Sequence, residues 1–143
     1  KQMKISEHIS LAEGIKSQSA IRHNIDNVPD VKQLDAMMEV AEKCFEPMRN
    51  YFDKPIGISS FFRCEALNEK VGGSKTSQHC KGEAIDIDAD IFGGVTNKEI
   101  FDYIKNNLDF DQLIWEYGDE DNPAWVHVSY SKIKNRKQIL YIK

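Results

Sequence analysis

The sequence predicts an α+β fold: one domain over residues 1–143, with a mainly antiparallel sheet and helices packed on it. Three observations carry this. Apolar residues from Asp30 to Phe52 recur at helical spacing, adjacent strand-like segments are joined by short turns, and helices come first. The 143 residues, 41% apolar and 29% charged, are enough for one core without a disulfide or structural metal. No internal repeat, low-complexity tract or linker marks a domain boundary.

Ser10 with Glu13 has the form of a capping box, which predicts a short helix starting there. From Asp30 to Phe52, Leu34, Met38, Ala41, Phe45, Met48 and Phe52 fall three or four apart, the spacing of a helix with one buried face. Pro47 lies inside it and is expected to bend or interrupt its last turns. Ile56 to about Arg63 alternates as a strand, and Glu65 to Val71 reads as a brief helix stopped by Gly72 and Gly73. Ser74 to Gly82 is expected to be a polar loop, and Ala84 to Asp88 a strand. Thr96 and Glu99 repeat the capping box before Ile100, Phe101, Ile104 and Leu108. Gln112–Tyr117 and Trp125–Tyr130 read as strands joined by the turn-rich Gly118–Pro123, and Gln138–Ile142 as a last strand.

Charge narrows the function. Lysine and arginine total 19 against 23 acidic residues, a net charge of −4, with no cationic block able to follow a phosphate backbone. Nucleic acid is not an expected partner, and neither is a membrane, because no apolar window approaches about 18 residues and the start lacks the apolar stretch of a secretory signal. The chain begins at Lys1, so an upstream leader or domain is left open, and with it the localisation. Cys44, Cys64 and Cys80 are odd in number without CxxC spacing, which points to reduced thiols rather than a disulfide framework.

The chemistry concentrates in Ser77-Gln78-His79-Cys80-Lys81-Gly82-Glu83-Ala84-Ile85-Asp86-Ile87-Asp88. An imidazole at the edge of a polar loop and a carboxylate on the following strand can converge where Gly82 lets the chain turn tightly. A third ligand type, His127, lies within the apolar Trp125-Val126-His127-Val128-Ser129. Alone it would read as a hydrogen-bonded core histidine; together, His79, Asp86 and His127 offer two nitrogens and one oxygen. Three protein ligands leave a fourth tetrahedral position open, as in catalytic zinc sites. Asp88 shares the strand face of Asp86 but lies about 7 Å further along, so only one of them can reach such an ion.

The pattern at Ser77, His79, Gly82, Ala84 and Asp86, followed by the segment around His127, resembles the zinc D-Ala-D-Ala carboxypeptidase family of metallopeptidases. Pro47-Met48-Arg49, Ser59 to Arg63, Leu67-Asn68, Val71 to Ser74 and Asp111 to Glu116 add to the resemblance, in order from about Ser6 to Tyr130. It implies a hedgehog/DD-peptidase-like fold and hydrolysis of peptidoglycan stem peptides, at a D-Ala-D-Ala terminus or between L-alanine and D-glutamate. It implies zinc, one per chain, on His79, Asp86 and His127. A phage or bacterial role in wall lysis or remodelling follows, by a monomer made in the cytoplasm and released or virion-borne to the wall.

Many such relatives carry an acid three residues before the last histidine ligand as general base, where this chain has Ala124. Glu116 is the expected replacement, since antiparallel pairing of its strand with that of His127 would bring the two together. Glu120 and Asp121, in the turn, are the runners-up. Arg63 matches the arginine that faces a substrate carboxylate, which a guanidinium grips through two parallel bonds; an ion pair with nearby Glu65 or Glu69 is its structural alternative. Ser77 and Gln78 are candidates to donate to the tetrahedral intermediate or to Asp86, with hydrogen bonding within the loop as the equal alternative. Trp125 is a candidate cleft wall for substrate, with Trp115 nearby. The hedgehog signalling domain resembles the same fold with a zinc site associated with binding, so an inert wall-binding or structural module is the alternative, supported by the missing acid at Ala124.

Overall fold

The computed structural model describes residues 3–143. Its first elements are a small hairpin, β1 (Lys4–Ser6) and β2 (Ile9–Ser10), then the short helices α1 (Leu11–Ile15) and α2 (Gln18–Arg22). The capping box at Ser10 and Glu13 is present. The helical spacing after Asp30 resolves into α3 (Val31–Val40) and α4 (Glu46–Phe52), joined by a π turn over Ala41–Phe45. Asp30 and Gln33 cap α3 reciprocally. The π turn is the form that Pro47 imposes. With no N–H to offer and a ring that crowds the turn before it, proline is accommodated where the helix widens, and Glu46 N bonds back to the Ala41 carbonyl.

The later elements are β3 (Gly57–Ser60), α5 (Glu65–Lys70), β4 (Ala84–Asp88), α6 (Asn97–Asn107), β5 (Gln112–Glu116), β6 (Trp125–Ser129) and β7 (Gln138–Ile142). The strand expected from Ile56 to Arg63 is shorter, ending at Ser60, and the expected loop contains a 3-10 turn over Gln78–Lys81. Thr96 and Glu99 cap α6 as expected.

Five strands form one sheet in the order β3-β4-β6-β5-β7. The α+β class holds and the sheet is mixed: three of its four pairings are antiparallel, and β7 runs parallel to β5. The reason lies at the start of β5. There the Arg136 guanidinium donates to both oxygens of Asp111, at 2.8 and 2.9 Å, and Gln138 N donates to the Asp111 carbonyl. The chain leaving β6 is thus clasped beside the beginning of β5 and must run the same way.

Ile85 and Ile87 of β4, Val126 and Val128 of β6, and Leu113 and Trp115 of β5 form the buried face of the sheet. They join one core with Met37, Val40, Phe45 and Met48 of the α3–α4 segment and Ile100, Phe101 and Ile104 of α6. Strand alternation turns the intervening residues to the other face. Among the described residues no helix is long and apolar enough to cross a membrane, and all three cysteines are free.

Candidate active site

Asp86 and His127 are direct partners across the central β4–β6 ladder, and Ile114 of β5 flanks His127 on its other side. His127 Nδ1 lies 3.0 Å from Asp86 Oδ1. His79 comes from the 3-10 turn, with Nε2 3.3 Å from Asp86 Oδ2. All three residues are nearly buried, at 3%, 9% and 9% exposure for His79, Asp86 and His127.

The turn that carries His79 is clamped on three sides. Ser77 Oγ accepts from His79 N at 3.2 Å, Arg63 N donates to the His79 carbonyl at 3.3 Å, and Gln33 Nε2 donates to the Cys80 carbonyl at 3.0 Å. Gly82 closes the turn at φ +76°, where a Cβ would stand 2.3 Å from the Gln33 carbonyl oxygen. Only glycine permits both that backbone and that approach to α3.

The donor chemistry fits a metal ion. His79 Nδ1 lies 2.7 Å from the Phe61 carbonyl, an acceptor only, so the ring proton sits on Nδ1 and Nε2 directs a lone pair at the Asp86 carboxylate. Two facing lone pairs repel unless a positive charge stands between them, either a metal ion or, without one, a second ring proton on Nε2. Ligands about 2.0–2.1 Å from a tetrahedral zinc are about 3.3 Å from one another, close to the two imidazole–carboxylate separations here. The Phe61 carbonyl behind His79 fixes the ring's orientation, as a backbone acceptor characteristically does for a metal-bound histidine. Burial would raise the pKa of Asp86, but the His79 charge and hydrogen bonds from both imidazoles outweigh it and hold the carboxyl well below its usual range.

A second cluster, Glu7, His8 and Glu46, has suitable ligand types, but its bonds make it a clasp. Glu46 accepts from the Ser6 hydroxyl at 2.6 Å, from His8 N at 3.0 Å and from His8 Nδ1 at 2.6 Å, which occupies both carboxylate oxygens.

Glu116 ends β5 opposite Trp125, two residues along from the partner of His127 and on the same sheet face. It is half-buried. Burial and the Asp86 charge raise its pKa, against smaller opposing effects of His127, His79 and Arg63. Ala124 N donates to the Glu116 carbonyl at 2.9 Å, so this acid stands beside the position where the expected one is missing. Glu120 and Asp121 are exposed in the turn, where Asp121 N is occupied by the Asp119 carboxylate.

Arg63 follows β3 at the edge of the same site. Its Nη2 donates to Ser77 Oγ at 3.4 Å, its buried Nε has no partner, and among the described residues it forms no ion pair with Glu65 or Glu69. Gln78 points elsewhere: its Nε2 donates to Asp111 Oδ2 at 3.1 Å and to Glu83 Oε1 at 3.4 Å. Trp125 is half-buried, its ring 5.2 Å from that of Tyr117.

Two contributors escaped the sequence reading. The Phe61 carbonyl is main chain and has no residue signature. Tyr117 looked like the end of a strand, whereas it adopts φ 56° and remains 46% exposed. The family model described as Peptidase M15 matches residues 7–129. No curated protein matches the chain.

Proposed function

The chain belongs to the peptidase M15 family, and on that premise we propose that it is a zinc-dependent hydrolase of peptidoglycan stem peptides, of the D-Ala-D-Ala carboxypeptidase or L-Ala-D-Glu endopeptidase type. The observation that carries the proposal is the convergence of His79 Nε2, both Asp86 oxygens and His127 Nδ1, with Glu116 on the same sheet face. His79, Asp86 and His127 would hold the zinc, one per chain. A zinc ion there supplies Lewis acidity, acidifying water and polarising the scissile carbonyl.

The remaining work falls to side chains. Glu116, half-buried and raised in pKa, accepts the proton of the attacking water and returns it to the leaving amine, two roles that suit a carboxylate with a raised pKa. Arg63, whose Nε lacks a partner, grips a substrate carboxylate and sets the scissile bond against the ligands. Ser77 holds both the His79 backbone and Arg63, so it positions the machinery. Trp125 forms a wall of the cleft.

We place all of this in one domain, residues 1–143, acting as a monomer on the cell wall in a phage or bacterial lytic or remodelling role. Incubation of the zinc-loaded protein with purified peptidoglycan, with released fragments identified by mass, tests the proposal. Release of stem-peptide fragments, lost on chelation and restored by zinc, is the expected result. Binding to the wall without any cleavage would overturn it in favour of an inert wall-binding module.

A further inference from the structure

Tyr117 combines three properties that packing does not require. It is a bulky residue at φ 56°, a conformation that side chains with a Cβ normally avoid and that persists only where the surroundings over-determine it. It directly follows Glu116. The residue stays 46% exposed, its ring tilted at 58° to that of Trp125 with centroids 5.2 Å apart.

The surroundings do over-determine it. Tyr117 N donates to the Ile142 carbonyl at 2.7 Å, and Ala124 N closes onto the Glu116 carbonyl at 2.9 Å. Gly118, also left-handed, packs so tightly that a Cβ would lie 2.2 Å from the Asn122 carbonyl oxygen. Asn97, fully buried, holds the returning strand of the turn through the Pro123 and Ala124 carbonyls. A glycine at 117 would satisfy this backbone without strain. The chain instead holds an exposed aromatic residue there, directly after Glu116.

We infer that Tyr117 and Trp125 form an aromatic shelf bordering Glu116 that binds a C–H-rich face of the substrate, and that Tyr117 is a specificity-determining residue. The inference rests on the proposed peptidase function and adds to it a contact beyond the ligands and Arg63. An aromatic face attracts aliphatic C–H groups and sugar rings alike and loses little conformational freedom in doing so. Two parts of the wall present such a face: the methyl groups of the stem peptide and the pyranose rings of the attached glycan.

The test compares wild type, Tyr117→Gly and Tyr117→Phe, all zinc-loaded, on a free stem peptide and on the same peptide linked to its disaccharide. Dissociation constants, KM and Tm are measured for each. The expected result is that Tyr117→Gly weakens binding about tenfold while Tm holds or rises, and that Tyr117→Phe, which keeps the ring, recovers most of the affinity. An effect on both ligands assigns the shelf to the peptide methyls; an effect on the disaccharide ligand alone assigns it to the glycan. Equal affinities for wild type and Tyr117→Gly overturn the inference even if hydrolysis proceeds. So do a Tm that falls with the affinity, a Phe variant as weak as Gly, and a wild type that binds neither ligand. Binding with the expected Tyr117 dependence but no hydrolysis would overturn the peptidase reading and leave the shelf in place.

Discussion

Replacing Glu116 by glutamine preserves its volume and most of its hydrogen bonding but removes the proton acceptor. On the proposed reading kcat should fall on the order of 100-fold or more, with zinc content unchanged. Asp121→Asn, in the exposed turn, should leave kcat within about twofold; a reversed ranking in steady-state assays would move the base to the turn. Arg63→Ala should lower kcat/KM on carboxylate-bearing stem peptides by about tenfold or more without altering metal content. Arg63→Lys should restore little, because an ammonium has no planar fork. Equal kinetics would return Arg63 to a structural role. At this scale the residue types of His79, Asp86, His127 and Glu116 were legible in the sequence, because each carries its chemistry in its side chain. The orientation of His79 was not, since a main-chain carbonyl supplies it. The choice between the two readings of Gln78 was not legible either, because its partner Asp111 stands 33 positions away.

The elements show where local rules suffice. The caps at Ser10 and Thr96 were readable because a capping box is a four-residue pattern. Pro47 marked the disturbance in the long helix, but not its form, since a π turn is one of several ways to absorb a missing N–H. The β1–β2 hairpin, seven strand and turn residues with little periodicity, gave no signal. It is held to α4 by Glu46, which burial would push up in pKa but which hydrogen bonds from Ser6 and His8 hold below its ordinary value. A carboxyl depressed in the folded state contributes stability that is present above its unfolded pKa and is lost as pH falls through the folded value. Glu46→Gln should therefore cost about 1.5–3 kcal/mol at neutral pH and flatten the acid limb of the stability profile, both measurable by urea unfolding across pH 2–7. A wild-type-like acid limb in the variant would show that the clasp carries no such linkage.

For the whole molecule, the class was legible because the long helical period comes early and the later strands are joined by short turns. The direction of β7 was not, since it depends on the clasp between Arg136 and Asp111 rather than on any pattern within the strand. The core that joins the sheet to α3, α4 and α6 includes none of the proposed metal ligands. Chelation should accordingly abolish hydrolysis while leaving a folded circular dichroism spectrum, with Tm lowered by the lost binding energy. An unfolded spectrum in chelator would contradict this. The central ladder has a further consequence for folding kinetics. Asp86 and His127 meet across 41 positions of sequence, so the ligand pair forms only after a long loop has closed, a step whose entropic cost precedes its reward. An ion that needs both partners has little to hold in a chain still on its way to the barrier. Zinc should therefore leave the refolding rate nearly unchanged and express its whole stabilisation as slower unfolding, so that stopped-flow chevrons with and without metal share a folding limb and part on the other.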